Sequence, residues 1–217
     1  GARRFTDAGR GFCAGQDLMS RHPDRRRSGV DLGSTRGKIY SPLRQNLRSR
    51  DKPIVWAGNG VAAGAGVSVA LACDIVIAAT SARCLLPFCK IGLVPDAGST
   101  WMIPRLIGEA RAKGLALTGE PVSANDAASW GLIWKTADDA ELLAVAFAMA
   151  ASLAKGAPSA LAMTKQAMQQ SSDNTFDQQL ALERNLQRKA GNSGDYAEGV
   201  RAFLEKRPAD FRRNRKD

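Results

Sequence analysis

Apolar residues fall in short unbroken runs through the first half of the chain and at helical spacing through the second. The run PIVWAGNG (53–60) predicts a buried strand that ends in a Gly-Asn-Gly turn. DIVIAAT (74–80) is apolar along nearly its whole length, which predicts a strand buried on both faces, and RCLLP (83–87) predicts a short third strand. Between the first two, VAAGAGVSVALACD (61–74) reads as a small-residue helix opened by Gly64 and Gly66. Glycine there permits close backbone approach and leaves the first helical N–H groups unobstructed.

Helical periodicity then takes over. STWMIPRLIG (99–108) predicts a helix interrupted near Pro104, and EARAKGLALTG (109–119) one stopped by Gly119. SANDAASWGL (123–132) begins with a Ser N-cap and ends at Gly131. Further helices are expected over 138–155, over 158–170 with Pro at its entrance, over 175–190, and in the last stretch SGDYAEGVRAFLEKR (193–207). Strands alternating with helices, then helices alone, predict an α/β core over residues 1–136 and a helical subdomain over 137–217.

With 217 residues, 44% hydrophobic and 24% charged, the chain can bury one sizeable core. It contains no apolar run of membrane-spanning length and no export-signal pattern in its first ten residues. Cys13, Cys73, Cys84 and Cys89 show no CxxC or zinc spacing, so buried free thiols, a cytoplasmic location and no bound metal are expected. The net charge of +10 is concentrated in residues 21–52, with ten Lys/Arg against three Asp, and in the basic tail 206–217. No aromatics interleave these stretches and no nucleic-acid motif accompanies them, so neither nucleic acid nor membrane is an expected partner. They read as solvated surface or as attraction for a phosphorylated small molecule. The long loop over 20–37 carries the only histidine, His22, which reads as incidental.

GLVPDAGSTW (92–101) places Asp96 between a proline and small residues. Taken alone, this aspartate has two readings: an N-cap for the helix that follows, or a carboxylate doing chemistry. Taken together, GFCAGQDL (11–18), NGVAAGAGVSVALACDIVIA (59–78), GLVPDAGSTWMIPRLIG (92–108), LTGEPVSANDAASWGLIWK (117–135) and DYAEGVRAFLEKRPADF (195–211) resemble, in order and spacing, the enoyl-CoA hydratase/isomerase (crotonase) superfamily. That resemblance implies a crotonase-like β/α superhelix of stacked ββα units with a C-terminal helical trimerisation region, assembled as trimers or hexamers. It also implies an acyl-CoA substrate, with coenzyme A as part of that substrate and no prosthetic group.

The chemistry of this superfamily passes through a thioester enolate, whose oxygen needs preorganised donors. By position in the motifs, the resemblance assigns that oxyanion hole to the backbone N–H groups of Gln16 and Ala65. It places Cys13, Ala14, Asp17 and Leu18 along the coenzyme A groove, with Phe203 and Lys206 meeting the nucleotide end. Hydratases of the superfamily use two glutamates, and here Ser68 and Phe88 stand at those places. Two-glutamate hydration is therefore not expected. Asp96 stands where several isomerase branches hold a carboxylate, facing an acyl pocket formed with Ser68, Phe88, Val94 and Trp101. Apolar surroundings disfavour the ionised form of a carboxylate, which suits reversible proton transfer near neutral pH.

The pattern is most similar to the bacterial isomerases of phenylacetate degradation, which open a ring epoxide of phenylacetyl-CoA and move enoyl double bonds. An aliphatic Δ3,Δ2-enoyl-CoA isomerase shares the mechanism. A haloaryl-CoA dehalogenase would need a histidine base within residues 38–52, where there is none. The opening GARRFTDAGRG (1–11) has Arg3 and Arg4 where a core strand would be apolar. The expectation is a truncated start lacking the usual first strand-helix-strand, with an inactive coenzyme A-binding oligomeric remnant as the reading from another class.

Overall fold

The computed structural model describes residues 2–6, 11–13, 15, 42, 43 and 45–211, with residues 3–5 as backbone only. The first six described strands alternate between two sheets. Strands β1 (Arg3–Phe5), β3 (Ile54–Gly58), β5 (Ile75–Ala79) and β8 (Lys135–Ala137) form one parallel sheet in the order β1-β3-β5-β8. Strands β2 (Gly11–Cys13), β4 (Val61–Ala63), β6 (Arg83–Leu85) and β7 (Val122–Ser123) form the second, with only the β6–β7 pair antiparallel. Two strands followed by a helix make one repeat: β3, β4 and α1 (Ala65–Leu71), then β5, β6 and α2 (Ser99–Thr118) after a 3-10 turn at Pro87–Ile91. These are the stacked ββα units expected from the motifs.

The apolar runs explain the core. Every residue of β3 is buried, and Ile77, Val67, Leu86 and Ile103 fill the space between sheets and helices. Helix α3 (Ala124–Trp130) is capped by Ser123, whose hydroxyl accepts from the Asp126 N–H, and it ends at a left-handed Gly131. Helix α4 (Leu142–Lys155) packs on β1, β3, β5 and β8, burying Leu142 and Ala146 one turn apart. Helices α5 (Pro158–Gln170), α6 (Phe176–Gly191) and α7 (Gly194–Leu204) pack on one another. Lys165 ties α5 to the core by donating to Asp74 at 2.8 Å and to the Leu47 carbonyl at 3.1 Å. Asp74 in turn accepts the Ile54 N–H at 2.8 Å, which anchors the start of β3. Among the described residues, no single helix is long and apolar enough to cross a membrane.

Four expectations need correction. Residues 3–5 do form a strand, because the parallel pairing with β3 is made by main-chain groups and needs no apolar side chains. Charged residues are common on edge strands, and β1 is an edge of the described sheet. Helix α2 runs through Pro104 and breaks instead at Gly108, whose φ 77°, ψ 162° only glycine adopts readily. Residues 138–141 stay outside α4, where Asp139 accepts from the Thr80 hydroxyl and the Ser81 N–H. The thiols are free, but Cys89 is exposed and the other three are only partly buried.

Candidate active site

Strand β4 delivers the chain to Gly64, whose φ of 55° turns it sharply into α1. A Cβ on Gly64 would lie 3.4 Å from the buried Phe88 ring, so that ring closes over the turn. A Cβ on Gly66 would lie 2.4 Å from the Cys13 carbonyl oxygen and 2.8 Å from its Cβ. Helix α1 therefore starts in direct contact with the backbone of β2. Gly15, at φ 82°, is pressed equally close: a Cβ there would sit 3.1 Å from the Ala63 oxygen and 3.4 Å from the Ala65 nitrogen. As the first residue of α1, Ala65 has no acceptor for its N–H within the helix. Gly15 thus lies close to the Ala65 nitrogen. Gln16, Ala14, Asp17, Leu18 and His22 lie outside the described residues.

Ser68 stands three residues beyond Ala65, about 4.5 Å along the helix axis and on the same face. Its hydroxyl donates to the Asp96 carbonyl at 3.1 Å, joining α1 to the loop before α2. The same carbonyl accepts the Ser99 hydroxyl at 2.8 Å and the Ser99 N–H at 3.0 Å. The loop turns through two consecutive left-handed residues, Ala97 at φ 48° and Gly98 at φ 74°. Asp96 is not the helix cap. Gly98 holds that position, and no side chain caps α2. The Asp96 Oδ1 atom is shielded from solvent. Ser68 thus holds the Asp96 main chain against α1, and the Phe88 ring meets the chain at Gly64, just before the same helix.

The sequence pattern of the enoyl-CoA hydratase/isomerase family matches residues 5–214. The chain belongs to the enoyl-CoA hydratase/isomerase family. It is 50% identical over 207 residues to 1,2-epoxyphenylacetyl-CoA isomerase of Escherichia coli K12, covering 95% of this chain and 79% of that protein. It is 35% identical to 2,3-dehydroadipyl-CoA hydratase of the same organism, over 96% of this chain and 79% of that one. An enoyl-CoA hydratase structure from Polaromonas sp. JS666 superposes with a TM-score of 0.88 at 36% identity, covering 96% of this chain and 81% of that one. The crotonase fold and an enzyme of this family are thereby established.

Within this family member, other candidate residues lie in different settings. Trp101 is bracketed by two guanidinium groups, Arg105 at 4.2 Å and Arg48 at 5.5 Å from its ring centre. Arg105 also donates to the Trp101 carbonyl at 3.0 Å. Val94 is 74% exposed among the described residues. Phe203, 83% exposed, lines a largely apolar cavity of about 470 Å³ with Tyr196, Val200 and Phe211, and Lys206 follows α7 at φ 53°. Both belong to the C-terminal helices rather than to the α1–Asp96 cluster. Sequence reasoning missed Ser99 and Gly15. The Ser directly after Gly98 was a signal for the first; the second needed the contact between β2 and α1.

Two of the partly buried thiols, Cys73 and Cys84, are held in the protonated form by their surroundings. Burial pushes Cys84 up to about 11. Burial, reinforced by the neighbouring Asp74 charge, pushes Cys73 up to about 12. Among the described residues, no cluster of three or more His, Cys, Asp or Glu could hold a metal.

Proposed function

We propose that this protein is an acyl-CoA isomerase in which Asp96 carries the proton. Asp96 removes a proton from the carbon next to the thioester, and the N–H groups of Gln16 and Ala65 hold the resulting enolate oxygen. The carboxylic acid then returns the proton further along the conjugated system, which shifts the double bond. With an epoxide on an aryl ring beside the acyl group, the same constellation promotes ring opening. The 50% identity to an epoxyphenylacetyl-CoA isomerase supports that substrate class, with an aliphatic 3-enoyl-CoA as the alternative.

The observation that carries the reading is the Ser68–Asp96 contact. The side chain standing where hydratases keep a glutamate is a fully buried serine that donates to the Asp96 loop. With Phe88 buried at the second glutamate place, Asp96 is the acidic residue whose main chain is held against α1. Coenzyme A is proposed to run along Cys13, Ala14, Asp17 and Leu18, with Phe203 and Lys206 at its nucleotide end. Exposed Phe147, Phe176, Leu180, Phe203 and Leu204 on the C-terminal helices favour assembly into a trimer or hexamer. Four free thiols favour a cytoplasmic setting.

One preparation tests this. It should convert trans-3-hexenoyl-CoA to the 2-enoyl isomer and leave trans-2-hexenoyl-CoA unhydrated. Hydration without isomerisation would refute the reading, and coenzyme A ester binding with neither activity would support the inactive remnant instead.

A further inference from the structure

We infer that Ser68 and Ser99 are positioning residues, a pair of hydroxyl groups that clamp the Asp96 main chain and so fix where its carboxyl group points. The inference rests on the reading of Asp96 as proton carrier. Both serines are completely buried, at 0% exposure. A buried hydroxyl is costly unless hydrogen-bonded, and a helical serine usually satisfies itself on the carbonyl one turn back. Ser68 instead reaches 28 residues along the chain to the Asp96 carbonyl at 3.1 Å. Ser99 donates to that same oxygen twice, from its hydroxyl at 2.8 Å and its N–H at 3.0 Å. Three donors from two helices converge on one carbonyl.

The turn explains why such an anchor matters. Ala97 carries a side chain in the left-handed region, which is strained, and Gly98 follows in the same region. Rotation of the 96–97 peptide would relieve Ala97, and it would also turn the carbonyl away from both serines and release the Asp96 main chain from α1. Three hydrogen bonds on that carbonyl oppose the rotation. With the peptide plane fixed, the Asp96 carboxyl has only its staggered side-chain rotamers to choose from. Ser68 belongs to the helix that begins with Ala65, so the clamp also sets the carboxyl group relative to the proposed enolate-stabilising N–H. The clamp acts on the chemical step: neither serine belongs to the proposed coenzyme A groove, and Ser68 borders the proposed acyl pocket with its hydroxyl turned to the Asp96 carbonyl.

The test compares S68A, S99A and the double variant with S99T, which keeps the hydroxyl, and with S68C, which keeps the volume. Asp96→Asn is run in parallel, all on a 3-enoyl-CoA. A misplacement of about 1 Å costs roughly 10²-fold in rate, so the double variant should lose about that factor in kcat with KM within about twofold. S99T should keep kcat within about threefold of the parent and S68C should be as slow as S68A. Retained kcat in the double variant, a loss seen in KM instead, or S99T as slow as S99A would overturn the clamp. An active Asp96→Asn variant would overturn the reading of Asp96 itself. An inactive one beside an unimpaired double variant would overturn the clamp alone.

Discussion

Replacing Gly66 by alanine probes the joint on which the site is built. The new Cβ would lie 2.4 Å from the Cys13 carbonyl oxygen and 3.1 Å from the carbonyl carbon, both rigid backbone atoms. Ordinary contact needs roughly 3.5 Å, so β2 and α1 must separate by about 1 Å. Overpacking of that kind costs about 1–3 kcal/mol in stability. Gly15 lies against the Ala65 nitrogen just after β2, so the same displacement disturbs the start of α1, where one proposed enolate donor stands. A 1 Å error of this kind costs roughly 10²-fold in turnover. Gly114 supplies the control: it lies within α2, and a Cβ there would meet nothing within 4 Å. Gly114→Ala should gain about 0.5–1 kcal/mol with turnover unchanged. Urea unfolding and isomerase turnover measured on both variants decide the matter. Gly66→Ala with parental stability and parental turnover would refute the contact between β2 and α1.

Other outcomes follow from single contacts. Lys165→Met leaves Asp74 without its ammonium partner in a pair only 8% and 21% exposed, and should cost about 3 kcal/mol in urea unfolding. An unchanged midpoint would mean that the pair does not tie α5 to the core. Hydrogen bonds from Arg207 hold Glu198 down at about 2 from its ordinary 4.5. Its folded value is the depressed one, so its stabilisation is complete above pH 4.5 and fades as pH falls toward 2. Thermal midpoints at pH 5 and pH 3 should therefore drop further in the parent than in Arg207→Gln; equal drops would contradict this. Under native conditions at pH 8, an alkylating reagent should modify Cys89 before Cys73 and Cys84, which react only on unfolding. Early labelling of Cys73 would contradict its burial.

The sequence carried the fold where apolar runs coincide with burial. The all-apolar stretch at 54–57 became the fully buried β3, and Ser123, Gly131 and Gly119 cap helices where their types suggested. It misled where main-chain geometry outweighs side-chain pattern. Arg3 and Arg4 concealed a strand that pairs through its backbone, and Pro104 drew attention from Gly108, where the break lies. At the site, the motif drew attention to Asp96, and the loop geometry removed its helix-capping alternative. The convergence of Ser68 and Ser99 on one carbonyl was not legible, because a bond across 28 residues leaves no local pattern. Nor was the setting of Trp101, since Arg48 reaches it from a segment 53 residues earlier.

If Asp96 moves the proton, turnover of Asp96→Asn on a 3-enoyl-CoA must reveal it. The amide keeps the size of the side chain and cannot act as a base. Asp96→Asn should keep parental affinity for the coenzyme A ester, with isomerisation reduced by about 10²–10⁴-fold, the usual contribution of a positioned general base. Isomerisation at the parental rate would contradict it.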